Sequence, residues 1–516
     1  MSGQVEAALA RLPEYLAWHV LLSASALGLG LVISLPLAVA ASRSARVRWP
    51  ALALASLVQT IPSIALLALF FPVLLAVSAL SLALTGRGFS ALGFLPSLLA
   101  LTLYSMLPIL RNGTAGILGV DPAVLQAADG VGMTPRQRLV KVELPLAAPV
   151  IMAGVRTAAV WTIGAATLST PVGQTSLGNY IFAGLQTENW VFVLFGCAAS
   201  AALALSADQL LGLIEAAAAR RDPRRAVIGA AGLVAGVALA LLPLLPTGQG
   251  ASYVVGAKNF SEQYILAEMI AHRLERTGAS VTRKEDLGSA VAYRALASGE
   301  LDVYVDYSGT LWTNVLNRTD NPGRQQVLER LAEELKRRDG VVVLGSLGFE
   351  NAYALAMRAD RARALGIRSL ADLARAAPGL TMGSDLEFLS RPEWRAVDAA
   401  YGFTFKAERS YQPTFMYRAL QAGDVDVISA FSSDGRIAAD DLLVLADPKG
   451  AIPPYDAVVL VSPKRADDAR LRRALEPLIG GVPVEAMRAA NLSVDRDQDK
   501  LSPAEAARRL ERDLGL

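Results

Sequence analysis

The chain has 516 residues, 53% of them apolar, with a mean hydropathy of +0.38 and a formal net charge of +2. So small a charge gives no ground for a nucleic-acid partner, and no basic motif of that kind occurs. The single cysteine, Cys197, excludes an intrachain disulfide, and the two histidines, His19 and His272, stand in unrelated contexts that speak against a histidine-based metal site.

Length alone suggests about three domains of ~150 residues, but charges are sparse and clustered up to about residue 245 and mixed beyond residue 251. A membrane bundle followed by one bilobed domain fits better. Residues 1–14 lack the basic stretch that opens a signal peptide. Apolar runs of the ~20 residues needed to cross a bilayer follow at 15–41, 51–80, 91–110, 149–168, 191–217 and 226–245. Arg43, Arg46 and Arg48 follow the first run, Arg111 the third, and Arg220, Arg221, Arg224 and Arg225 the fifth. One orientation puts every basic cluster in the cytoplasm: N-terminus outside, everything after Leu245 extracytoplasmic. Gln59, Thr60, Pro62 and Ser63 interrupt the second run, and either line a path or mark a proline kink.

Residues 126–145 form a long polar segment among these apolar runs. Gln126, Ala127, Ala128 and Gly132 open it with a small, smooth helix surface, Thr134-Pro135 starts a second short helix, and Leu144-Pro145 leads into the fourth run. Arg136, Arg138 and Lys141 place it on the cytoplasmic side. It resembles the loop of ABC importer permeases that reads Glu-Ala-Ala, three residues, Gly, nine residues, Ile, one residue, Leu-Pro. Gln126 replaces the Glu and Val142 the Ile. The resemblance implies a coupling helix that docks into a separate cytoplasmic ATPase subunit. With no Gly-Lys dipeptide in the chain, there is no phosphate-binding loop of the Gly-x-x-x-x-Gly-Lys type, so the motor is another polypeptide.

Residues 163–184 are rich in glycine and proline. Irregular backbone cannot face lipid without leaving amides unsatisfied, so the segment is expected to line a translocation path or close its outer mouth; an ordinary connecting loop is the other reading. Pro243, Pro246, Gly248 and Gly250 make a linker. Beyond it, strand 253–256 and helix 261–276 open an alternation that predicts α/β architecture. An internal echo sharpens this. Residues 295–303 (Ala-Leu-Ala-Ser-Gly-Glu-Leu-Asp-Val) lead to Tyr307-Ser-Gly309, and residues 419–427 (Ala-Leu-Gln-Ala-Gly-Asp-Val-Asp-Val) lead to Phe431-Ser-Ser-Asp434-Gly435. Residues 254–258 and 380–385 echo likewise. Ligands of open α/β sheets bind beyond the carboxyl ends of the strands, so Tyr307 and Phe431 are expected to face each other across a cleft.

Gly256-Ala-Lys258-Asn259-Phe260-Ser-Glu262-Gln263-Tyr264, Tyr307-Ser-Gly309-Thr310, Gly348-Phe-Glu-Asn351-Ala-Tyr353, Ser432-Ser-Asp434-Gly435 and Pro453-Pro454-Tyr455 resemble the substrate-binding domains of osmoprotectant ABC importers for glycine betaine, carnitine and choline. The resemblance covers nearly the whole chain, as in fused permease and binding subunits. It implies an all-α polytopic permease over 1–225 with its coupling loop, a sixth membrane helix and linker over 226–250, and an extracytoplasmic two-lobed α/β binding domain over 251–516. One lobe would comprise 251–353 and 456–516, the other 354–455. It also implies an aromatic box of Tyr307, Tyr353, Phe431 and Tyr455, carboxylate-gripping positions at Lys258, Thr310 and Arg391, and Asn259 beside them. Phe431 departs from the family's common Tyr. Asp434 either favours cations without a tail, such as choline, or caps the following turn.

The expected function is the permease and binding subunit of an ATP-driven importer in the bacterial plasma membrane, for a betaine-like quaternary ammonium solute. Another trimethylammonium betaine, such as ergothioneine, is the alternative ligand, and a membrane-bound sensor the alternative class. A sensor has no use for an ATPase dock. Six spans and one coupling loop are half of what a two-sided path needs, so a permease homodimer embedded in lipid is expected. No Ser/His/Asp set, metal cluster or cofactor fingerprint argues for an enzyme, and no cofactor is expected.

Overall fold

The computed structural model describes residues 2–85, 89, 91–187, 189–220, 222–244, 252–318, 320–386, 388–496 and 498–516. Arg221 and the linker positions Pro246, Gly248 and Gly250 lie outside them. The chain divides into two compact units, residues 1–182 with 191–247 and residues 183–190 with 248–516.

The first unit is helical: α1 (Ser2–Arg43), α2 (Ala45–Thr60), α3 (Ser63–Thr85), α4 (Phe94–Leu118), α5 (Pro122–Gly130), α6 (Pro135–Arg138), α7 (Leu144–Ala166), α8 (Gly178–Gln186), α9 (Trp190–Arg220) and α10 (Pro223–Leu241). Among the described residues, six helices are long and apolar enough to cross a membrane. The limits of the expected runs shift, most of all in the first four. The second is two helices, because Pro62 drives Ile61 into extended backbone (φ −77, ψ 126) and ends α2. This is a break rather than a kink. The carbonyl of Ile61 is taken up by the hydroxyl of Tyr104, and the Gln59 amide donates to the carbonyl of Tyr104 at 3.2 Å. The third run extends through Arg111 to Leu118, and the first and fourth begin earlier, at Ser2 and Leu144. α4 is the most enclosed of the spanning helices, with α1 and α7 against it. Gly154 makes one approach possible: a Cβ there would stand 2.7 Å from the Pro108 carbonyl, the small-residue packing by which membrane helices associate.

The stretch after α7 is not lipid-facing irregular backbone. Ser169, Thr170, Ser176 and Asn179 are buried, and the Asn179 side chain accepts from the amide of Ser176 at 2.8 Å. His19 of α1 ties its two ends, Nε2 donating to the Ile163 carbonyl at 3.0 Å and Nδ1 accepting from the Leu177 amide at 3.3 Å. A carbonyl only accepts and an amide only donates, so these partners select the neutral Nε2–H tautomer.

The second unit holds two five-stranded sheets. Its strands are β1 (Ser252–Lys258), β2 (Ser280–Leu287), β3 (Val303–Tyr307), β4 (Val342–Glu350), β5 (Tyr353–Arg358), β6 (Thr381–Asp385), β7 (Ala407–Tyr411), β8 (Val427–Phe431), β9 (Leu442–Val444) and β10 (Asp456–Val461). The orders are β2-β1-β3-β10-β4 and β7-β6-β8-β5-β9. In each, three strands run parallel and the fourth in the order runs antiparallel to its neighbours. The sequence echo is this repeated plan, β1 and β3 matching β6 and β8. Its conserved-in-position aspartates do the same work twice: Asp302 accepts from the amide of Val254 at 2.8 Å, and Asp426 from that of Thr381 at 2.9 Å. The chain passes between sheets at residues 351–352 and again between β9 and β10.

Candidate ligand-binding and coupling sites

Tyr307 ends β3 and Phe431 ends β8, both parallel strands, while Tyr353 begins antiparallel β5 and Tyr455 immediately precedes antiparallel β10. Antiparallel strands start at the edge where their parallel neighbours finish, so each sheet brings two of the four rings to that edge. Register confirms it: Tyr353 pairs with Phe431, and Ala457 with Tyr307. The four line one cavity of about 180 Å³. A fifth ring, Phe260, joins them. It lies parallel to Phe431 (7°, centroids 6.4 Å apart) and 6.2 Å from Tyr307. Tyr353 then stands 5.0 Å from Phe431 and meets Tyr455 edge to face at 6.0 Å.

Phe260 occupies the turn between β1 and the helix Ser261–Glu275, as its N-cap, with extended backbone. Sequence reasoning passed over it as a site residue because it belongs to no strand and no periodic pattern; its place in the quoted motif was the available signal. The same motif carries Glu262, also missed. Its carboxylate is buried in the cavity wall and accepts from the Tyr307 hydroxyl at 2.6 Å and from Asn351 and Asn491 at 3.1 and 2.8 Å. Burial pushes its pKa up and outweighs the bonds from Ser433, Tyr307, Asn491 and Asn351 that pull it down.

The polar positions divide. Arg391 and Thr310 come together, guanidinium to hydroxyl at 3.3 Å, with Arg391 also bonded to Glu393 at 3.2 Å and lying over the Tyr353 ring at 5.2 Å. Burial alone would lower Arg391, but Tyr353, Glu393 and Tyr455 outweigh it and the net shift is upward. Glu393 also takes the hydroxyl of Tyr455. Lys258 reaches the cavity with its ammonium 2.6 Å from Asp306 and 4.8 Å from the Tyr307 ring centre. Both members of that pair are buried. Asp434 lines the cavity, accepts from the backbone amide of Arg436 at 2.9 Å and pairs with that guanidinium at 2.6 Å, and the same guanidinium stands 3.8 Å from Asp495. Asn259 lines the cavity and is exposed.

In the first unit, Gln126, Ala127 and Ala128 lie on α5, the first two exposed. Gly132 turns the chain with φ +79 in open space, a left-handed conformation that favours glycine. Thr134 starts α6 through a capping box with Gln137. A π-helical turn (Leu139–Glu143) carries the chain into α7 at Leu144 and Pro145. Glu143 is buried there, bonded to Arg43 at the end of α1 and to Arg138 of α6, whose guanidinium also grips Asp129 of α5. Glu143 therefore joins α1 to α6, and Arg138 carries the link on to α5 through Asp129.

Residues 251–510 match the family described as the substrate-binding domain of the ABC-type glycine betaine transport system. The chain belongs to this family. Residues 30–220 match the inner membrane component of binding-protein-dependent transport systems, so the two halves form a fused permease and binding subunit of a betaine/choline/carnitine-type ABC importer. The ergothioneine transport permease/ergothioneine binding protein of Helicobacter pylori is 29% identical over 90% of this chain and 84% of its own. The choline transport system permease of Bacillus subtilis is 38% identical over 38% of this chain and 83% of its own. The glycine-betaine-binding protein of Pseudomonas aeruginosa is 32% identical over 52% of this chain and 90% of its own. Membership answers the sensor alternative: the chain is a multi-pass inner-membrane transport subunit with an extracytoplasmic binding domain, serving a small-molecule ligand and working with a separate ATPase subunit.

Proposed function

We propose that the ligand is a betaine-like quaternary ammonium solute: glycine betaine, carnitine, choline or proline betaine. The reading rests on five aromatic rings gathered around one cavity with Arg391 and Thr310 beside them. A trimethylammonium head has no N–H to donate and is best held by ring faces, at ~0.5–2 kcal/mol per contact. A carboxylate tail calls for charge-assisted donors, which Arg391 and Thr310 supply. Arg391 and Thr310 offer a contact that only a carboxylated ligand uses, so ligands bearing both charges come first. The permease and binding domain take the limits 1–225 and 251–516, the binding lobes exchanging near residues 353 and 455. The chain acts as receptor and path rather than as a catalyst. It pairs with a second copy and two ATPase subunits, each docking on the 126–145 loop, where Val131 and Val140 are exposed.

Ergothioneine is the second reading, because its trimethylated amino-acid end presents the same two charges and the Helicobacter relative spans both halves of this chain. Calorimetry of the detergent-solubilised full chain against choline, glycine betaine, carnitine, proline betaine and ergothioneine tests both. Saturable heat with a compound bearing both charges is expected. Strongest binding of ergothioneine selects the second reading, and no heat with any of the five overturns both.

A further inference from the structure

An ion cluster sits inside the membrane unit, remote from the coupling loop's charges. Arg156 of α7 grips Asp208 of α9 with two prongs, Nε to Oδ1 at 3.0 Å and Nη2 to Oδ2 at 2.8 Å, and reaches Glu215 with Nη1 at 2.6 Å. Asp208, Gly212 and Glu215 recur at helical spacing and so share one face of α9. Gly212 lets the guanidinium lie across that face: a Cβ there would stand 3.3 Å from its central carbon. At 1.5 Å per residue, Arg156 lies about 10 Å into the apolar run that begins at Pro149 and Asp208 about 14 Å into the run that ends at Ala217, both inside a hydrocarbon layer of roughly 30 Å, with Glu215 near its cytoplasmic end.

Two features set the cluster apart from a pin between helices. One guanidinium faces two carboxylates, so among the described residues the group carries an uncompensated negative charge. It is also open, with side chains 32, 22 and 27% exposed for Arg156, Asp208 and Glu215. Charged groups at such depth turn to protein or to a water-filled path rather than to lipid. We propose that the open side faces the translocation path and that Arg156, Asp208 and Glu215 form a second, membrane-embedded ligand site. There the quaternary ammonium group exchanges onto Glu215 and Asp208, while a carboxylate tail, where present, exchanges onto Arg156. This rests on the quaternary ammonium reading of the ligand.

Glu215→Gln is the decisive variant, because it removes the uncompensated charge and leaves the two-pronged Arg156–Asp208 pair to hold α7 to α9. The full chain, assembled with its ATPase subunit in lipid vesicles, is assayed for uptake of radiolabelled glycine betaine and choline, with calorimetry on the same preparations. At equal amounts of protein and unchanged ligand affinity, uptake of both compounds by Glu215→Gln is expected to fall about tenfold, the loss of one charge-assisted contact. Glu215→Asp, which keeps the charge, is expected to recover most of it. Uptake by Glu215→Gln within about twofold of the parent, or equal loss in both variants, overturns the site. A parent that binds neither compound defeats the ligand reading and this site with it; a parent that binds and imports them beside an equally active Glu215→Gln defeats this site alone.

Discussion

Tyr307 shows what a single ring contributes here. Its face lines the cavity while its hydroxyl donates to buried Glu262, so truncation and de-hydroxylation test different things. Tyr307→Ala, Tyr455→Ala and Phe260→Ala should each lower affinity for the quaternary ammonium ligand by about 5- to 30-fold, or about 1–2 kcal/mol. Calorimetry measures this, and the melting temperature of the unliganded protein shows whether a ring serves only as packing. Unchanged affinity in well-folded Tyr307→Ala and Tyr455→Ala would end the aromatic-box reading. Arg391→Ala should weaken ligands with a carboxylate strongly and choline little. Equal loss for both would make Arg391 a support for Glu393 and Tyr455 rather than a grip on the tail. Tyr307 and Phe431 were legible in the sequence as the strand ends of a repeated pattern, whereas Tyr353 and Tyr455, which stand at strand starts, were reached only through the family resemblance. The Lys258–Asp306 pairing was not legible, since nothing local marks two residues 48 apart as partners.

At the scale of an element, β2 carries a titratable strain point. Asp286 has φ +65, accepts the hydroxyl of Tyr264, and its Oδ2 is buried without a partner among the described residues. Burial raises its pKa from 3.8 to about 7. The folded state therefore holds this proton more tightly than the unfolded chain does. The stabilisation is complete below pH 3.8 and is lost as pH rises through about 7. Asp286→Asn suits the same left-handed backbone and removes the charge. Its melting temperature, scanned across that range, should fall less steeply with pH than the parent's; parallel curves would remove Asp286 from the account. In the coupling loop, Gly132→Trp forces a side chain onto φ +79. Uptake and ligand-stimulated ATP hydrolysis should fall together while ligand binding holds. Normal uptake at equal membrane expression would strip the loop of its role.

For the whole molecule, the proposed coupling loop and the six helices long enough to span, counted among the described residues, predict a complex of two permease chains with two ATPases. Mass measurement of the detergent-purified assembly with its ATPase should give that stoichiometry, and a stable complex of single copies would contradict it.

Hydropathy and the positive-inside bias determined the membrane half's span count and orientation, because both are sums over many residues. Repetition likewise made the paired lobes readable: Asp302 and Asp426 recur because each sheet needs the same strand amide capped. Tertiary structure decided everything that depends on a partner distant in the chain. It showed that Asp434 pairs with Arg436 and Lys258 with Asp306, that Phe260 lies beside the other rings, and that Glu143 joins α1 to the 126–145 loop. A side chain's charge is written in the sequence. What that charge meets is decided by folding, which brings its partners within about 3 Å, the reach of a hydrogen bond.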